Sequence, residues 1–171
     1  MLILVMGRNG SGKSAFAEAL AVRLKKARYY IATMLPYGAE GASRVKKHKA
    51  QREGLGFTTL ELPYAVSGAA VPETAVALVE DVSNLLSNAM FEKNVSEVEV
   101  FEDITKLSGR ISCTIAVTIN EFEDDDYNQE TLRYIRALTR LNRRLYTFSD
   151  TVVEMREGTP IVRKGALNEF A

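Results

Sequence analysis

The residues Gly7, Arg8, Asn9, Gly10, Ser11, Gly12, Lys13 and Ser14 carry the densest chemistry in this chain. They read G-x-x-x-x-G-K-[ST], and each residue type has a task. Glycines at 7, 10 and 12 let the backbone curl so that successive N–H groups can face an anion. Lys13, expected as a partly exposed loop lysine, supplies charge at the β- and γ-phosphates of a nucleotide. Ser14 offers a hydroxyl to Mg²⁺, and the helix starting beside it aims its N-terminal partial charge at the same anion. At average residue frequencies the four fixed positions coincide by chance in about 0.6% of chains this long, so a plain glycine-serine turn is a poor account of them. The expected ligand is ATP or GTP with Mg²⁺, with Lys13 a catalytic candidate and Ser14 a metal candidate.

Three other places hold candidate chemistry. The apolar run from Ala75 to Val79 ends in Glu80 and Asp81. A carboxylate there can orient Mg²⁺ or its water, which makes Glu80 a catalytic and metal candidate; a helix cap fits Asp81 at least as well. His48, the sole histidine, lies among five cations in RVKKHKAQR. A neutral imidazole there is a competent nucleophile whose neighbours favour the unprotonated form, while a solvated helix face explains the same lysines. Arg133, Arg136, Arg140 and Arg143 recur at helical spacing and could bind phosphate in pairs, or pair with the preceding acids, or lie in water.

These residues require a scaffold of strands leading into helices. Leu2 to Met6 reads as a buried strand and the pattern after Ser14 as a helix whose apolar face is Phe16, Ala19, Leu20, Val22 and Leu24. Tyr29 to Met34 reads as a second strand with Thr33 at its carboxyl end, followed by a loop over 35–43 and a basic helix over 44–51. Strands are expected at Phe57 to Leu62 and at Ala75 to Val79. Helices are expected over 82–92, with Val82, Leu85, Leu86 and Phe91 on one side, and over 95–108, closed by Gly109. Ile111 to Ile119 is the longest β-branched run and reads as a central strand. Asp126 or Asn128 caps a helix over 128–147 with the stripe Leu132, Ile135, Leu138, Leu141 and Leu145. A hairpin turning at Gly158 ends the pattern. Alternation of this kind predicts an α/β, doubly wound, mostly parallel sheet with a C-terminal hairpin, read as one domain over residues 1–171. Ligands of such sheets sit beyond the carboxyl ends of the strands, which gathers Gly7 to Ser14, Thr33, Glu80 and Asn120 around one crevice.

Composition narrows the class. Lys plus Arg and Asp plus Glu are 22 each, so the whole-molecule charge gives no sign of a nucleic-acid partner. Cys113 is the only cysteine, which excludes an internal disulfide and a cysteine-rich metal site; its apolar surroundings predict an inert buried thiol. No segment approaches the length of a membrane span and the first apolar run is too short for a signal peptide, so a cytoplasmic protein is expected.

The order of GSGKS, YYIAT, RVKKHK, VEDVSNLLSN, VTINE and LNRRL resembles the bifunctional adenosylcobinamide kinase/adenosylcobinamide-phosphate guanylyltransferase family of cobalamin biosynthesis over nearly the whole chain. The most specific part is a strand ending in YIAT, followed by an arginine and, four residues later, a histidine. The resemblance implies a phosphate-loop, RecA-like core, a homo-oligomer of the trimeric kind, and adenosylcobinamide as the small-molecule acceptor. It implies kinase action on the aminopropanol hydroxyl, then GMP transfer through a guanylyl-histidine at His48, with Lys13 and Ser14 at phosphate and Mg²⁺ and Glu80 in the acidic metal position. Asn88 and Asn142 match motif positions to which no role is attached. Family loops read G-G-x-R-S-G-K-S, whereas here Arg8 stands second and Gly10 replaces the arginine; FEDDDYN follows VTINE where the family has a glycine-rich segment. A different small-molecule or nucleotide kinase on the same core, and a non-catalytic nucleotide-binding switch, are the alternative readings.

Overall fold

The computed structural model describes residues 1–35, 53–122 and 125–167. The expected basic helix over 44–51, with His48, lies outside the described residues. In chain order the elements are β1 (Leu2–Gly7), α1 (Lys13–Arg23), β2 (Arg28–Ala32), β3 (Phe57–Glu61), a 3-10 turn (Val66–Gly68), β4 (Val76–Glu80), α2 (Val82–Lys93), α3 (Glu97–Arg110), β5 (Cys113–Ile119), α4 (Gln129–Phe148), β6 (Thr151–Arg156) and β7 (Thr159–Lys164).

The strands form one seven-stranded sheet in the order β3-β2-β4-β5-β1-β6-β7. All neighbours are parallel except β6 and β7. This is the expected doubly wound sheet, and the β-branched run of β5 occupies its middle. Strands buried on both faces need apolar residues without alternation, which is why β1 reads LILVM. Leu2, Leu4 and Met6 face a core shared with α2, α3 and α4, including Leu85, Leu86, Ile104, Leu107, Leu138 and Leu141. Ile3 and Val5 point the other way, into a core closed by Ala17, Leu20 and Ala21 of α1. Each fully buried Leu or Ile contributes roughly 1.5–3 kcal/mol, so the two layers fix the strand register.

Several expectations require correction. Ala19 is exposed, and α1 turns Lys13, Ala17, Leu20 and Ala21 inward. Lys13 itself is only 7% exposed, so it is not a partly exposed loop lysine but the buried first residue of α1. Phe91 is 46% exposed and leans against Tyr134 instead of joining the core. Gly109 does not end its helix; α3 runs on to Arg110 with extended Ile111 beyond it. That end is held from the side: the Arg110 guanidinium donates to the carbonyls of Ser67, Ala69 and Val71, fastening the connection before β4.

The remaining termini follow local rules. Ser96 and Glu99 form a reciprocal capping box at the start of α3, and Asn128 rather than Asp126 caps α4 by accepting from the Thr131 N–H. Glu157 and Gly158 both have positive φ, 48° and 79°, the requirement of a two-residue hairpin matching the strand twist. Among the described residues no helix is long and apolar enough to cross a membrane.

Candidate functional site

The phosphate loop leaves the buried end of β1 and enters α1 at Lys13. Gly10 and Gly12 are left-handed, φ 75° and 87°, which any other residue resists. Gly7 is needed for space: a Cβ there would lie 2.5 Å from Ser11 Oγ and 2.8 Å from the Met155 carbonyl oxygen. The Arg8 carbonyl accepts from the Ser11 N–H at 3.2 Å and from Lys13 Nζ at 3.1 Å, so the lysine spans the loop's own mouth. The β6–β7 turn braces the loop, with the Gly158 N–H donating to the Ser11 carbonyl at 3.2 Å and Glu157 pairing with Arg8 at 3.8 Å.

Across from the loop, β4 ends in Glu80 at the same edge of the sheet. Ser14 Oγ donates to Glu80 Oε1 at 2.7 Å, which joins the first turn of α1 to the end of β4. The second oxygen, Oε2, is buried with no partner among the described residues. Burial, then the Asp81 carboxylate, pushes the Glu80 carboxyl up to about 8, against the pull of Ser14 and Lys13. Burial likewise lowers Lys13 from its ordinary value, opposed by Asp81 and Glu80.

Asp81 follows through a cis peptide bond and caps α2. Its Oδ1 accepts from Asn84 N–H at 2.7 Å and from Ser83 Oγ at 2.5 Å, so the cap reading of this acid is correct. Burial raises its carboxyl and those hydrogen bonds oppose the rise. Its charge also acts on Lys13, so one acid serves both the helix end and the electrostatics of the site.

Thr33 is fully buried, its N–H donating to the Glu80 carbonyl at 3.1 Å and its hydroxyl to the Asp81 carbonyl at 2.8 Å. Asn88 Nδ2 donates to the carbonyls of Thr33 and Pro63, tying the ends of β2 and β3 to α2. Asn142 does the same for α4, giving its amide to the Ile119 carbonyl and accepting from the Thr118 hydroxyl, both at 2.7 Å. The two asparagines thus hold helices to strand ends beside the site, a task that spacing alone does not reveal. Gly7 pairs in register with Ile119, so Asn120 stands level with the start of the phosphate loop, and its buried Oδ1 has no partner among the described residues.

The geometry therefore brings the Gly7–Ser14 loop, Glu80 and Asn120 to one edge, with Thr33 behind them as a strut. A cation, the free N–H groups of a helix start and a buried carboxylate converge there, which suits a phosphate chain carrying a hard divalent cation. Sequence reasoning missed the bracing β6–β7 turn and the Tyr134 hydroxyl, which donates to the Ser83 carbonyl at 3.0 Å. A positive-φ Glu-Gly turn was readable; its contact with the loop was not.

Residues 3–162 match the family described as cobinamide kinase / cobinamide phosphate guanyltransferase. The chain belongs to this family. No curated protein matches it. Among solved structures, this family member is similar to PH0250 of Pyrococcus horikoshii OT3, known from a structural study, with 13% identity, 99% of this chain and 89% of that chain covered, and a TM-score of 0.55. A KaiC-like protein, PH0186, from the same archaeon aligns at 11% identity over 96% of this chain and 78% of that chain, with a TM-score of 0.49. At such identities the first likeness speaks for the fold alone.

Proposed function

We propose that this chain transfers a phosphoryl group from a nucleoside triphosphate to the hydroxyl of a cobinamide-type acceptor. The observation that carries the reading is the 2.7 Å bond from Ser14 Oγ to Glu80, made beside Lys13 at the start of α1. It joins the hydroxyl and the carboxylate that a triphosphate-bound metal needs, and the orphaned Glu80 Oε2 fits the same cation. Ser14 and Glu80 would hold Mg²⁺, which neutralises charge on the phosphate oxygens when bound.

The chain's own groups do the rest. Lys13 leaves the Arg8 carbonyl and gives its charge to the transferring phosphoryl group, while the loop N–H groups and the start of α1 fix the chain of phosphates for in-line attack. Thr33 and Asn88 keep the Glu80–Asp81 corner in place, and Asn120 offers its carbonyl oxygen, unpartnered among the described residues, to a donor on the ligand. Following the family, His48 is the nucleophile of the second activity, taking GMP from GTP with loss of pyrophosphate and passing it to the acceptor's phosphate.

The test uses γ-labelled ATP with adenosylcobinamide and Mg²⁺. Label passes to the acceptor with the parent protein, and Lys13→Ala abolishes both transfer and triphosphate binding by calorimetry. Unchanged binding of ATP and GTP by Lys13→Ala removes the reading. A second incubation with α-labelled GTP yields an acid-labile, base-stable protein adduct that is absent from His48→Ala. Triphosphate binding with neither transfer nor adduct returns the chain to a nucleotide-binding switch.

A further inference from the structure

The strongest unassigned feature is a cationic, aromatic groove on the outer side of the helical layer. Five arginines stand against the single Glu130 in α4, although the whole chain is neutral. Asn142 points at the end of β5, and residues two positions away on a helix lie about 200° around it, so Arg140 and Arg144 face away from the sheet. They line a cavity of 710 Å³ with Arg143, Phe101, Thr147 and Phe148. Phe148 lies three residues before Thr151, which pairs with Ile3 at the start of β1, so this cavity is toward the opposite end of the sheet from the phosphate loop.

Its walls are arranged rather than merely basic. Phe101 and Phe148 meet edge to face with centroids 5.8 Å apart, and Phe148 is 51% exposed at the mouth. The Arg144 guanidinium lies 5.9 Å from the Phe101 centroid, and Arg140 is steadied by Glu97 at 2.6 Å. Forked guanidiniums take phosphate in a bidentate manner, and an exposed ring offers a stacking face to a planar base. The groove is open to solvent, and a volume of 710 Å³ holds one small molecule; a polymer needs a continuous track.

We propose that this groove is a second ligand site, for a phosphorylated planar ring of the mononucleotide class, with Arg143 and Arg144 on the phosphate and Phe148 under the ring. It is independent of the phosphate loop. CMP, which has neither the β- and γ-phosphates that the loop grips nor the guanine of the proposed transfer, reports the groove.

Calorimetric titration with CMP, with inorganic phosphate and with a twelve-nucleotide single-stranded RNA tests it. The parent and Lys13→Ala bind one equivalent of CMP alike. The doubly substituted R143E/R144E, altered only at exposed positions, binds CMP at least about tenfold more weakly while keeping its ATP affinity and its melting temperature. F148A weakens CMP and leaves inorganic phosphate unchanged. The proposal is overturned by absence of CMP binding at millimolar concentration, by equal binding in R143E/R144E, by loss of CMP binding in Lys13→Ala, or by RNA binding more than about tenfold tighter than CMP.

Discussion

Replacing Glu80 by glutamine separates what this carboxyl costs the fold from what it does for chemistry. Its folded pKa, about 8, lies above the ordinary 4.5, so the native state holds the proton more tightly than the unfolded chain. A raised pKa gives stability that is complete below the unfolded value and is lost as pH rises through the folded one. Integrated between pH 6 and pH 9, that loss is about 2.6 kcal/mol for this one group. Glu80→Gln keeps the shape and has no proton to lose, so its stability relative to the parent rises by about that amount over the same interval. Urea unfolding of both proteins at pH 6, 7.5 and 9, free of nucleotide and with EDTA, measures the difference; ionisations of groups that do not interact with Glu80 cancel, and those of Asp81 and Lys13 shift with it. The same variant loses Mg²⁺-dependent turnover, so stability and activity move in opposite directions. Parallel stability profiles, within about 0.5 kcal/mol at all three pH values, would refute a buried, protonated Glu80.

Gly7→Ala places a Cβ against the Met155 carbonyl of β6, a strand held between β1 and β7, so the loop must shift. A loss of about 1–3 kcal/mol in urea unfolding and at least about tenfold weaker ATP binding are expected. Asn142→Leu strands the Thr118 hydroxyl and the Ile119 carbonyl beneath α4, and costs about 2–3 kcal/mol by the same unfolding assay. Cys113 is 1% exposed and burial pushes its thiol up to about 11. An aromatic disulfide reagent at pH 8 therefore labels it only as fast as the protein unfolds, and full labelling within seconds in native buffer contradicts this.

The fold was legible wherever residues spoke through local physics. The apolar runs of β1, β4 and β5, the Asn128 cap and the Glu157–Gly158 turn all announce themselves without distant partners. Phe91, Ala19 and Gly109 misled because their environment is decided by tertiary contacts: Phe91 meets Tyr134 and not the sheet, and α3 is held at its end by Arg110. The site was legible in the same measure. The phosphate loop and the acid at the end of β4 are encoded in short stretches, whereas the Ser14–Glu80 bond joins positions 66 residues apart. Asn88 and Asn142 could be marked as unusual, yet their work on strand-end carbonyls depends on helices whose packing no short window contains. The long arginine helix was visible; that Arg140 pairs with Glu97 and that Phe101 and Phe148 floor its outer side were not.

The place of β1 in the sheet sets a schedule for synthesis. This strand lies between β5 and β6, and the loop that follows it leans on the β6–β7 turn. A nascent chain that has emerged only as far as α3 already displays the whole glycine-lysine motif, but neither neighbour of its first strand has been made. Such a chain carries an unpaired, wholly apolar strand with two open edges, a surface that chaperones hold and that aggregation exploits. The nucleotide pocket is thus written first and built late, so a bound triphosphate on a stalled, progressively lengthened chain should appear only once the turn at Gly158 has emerged.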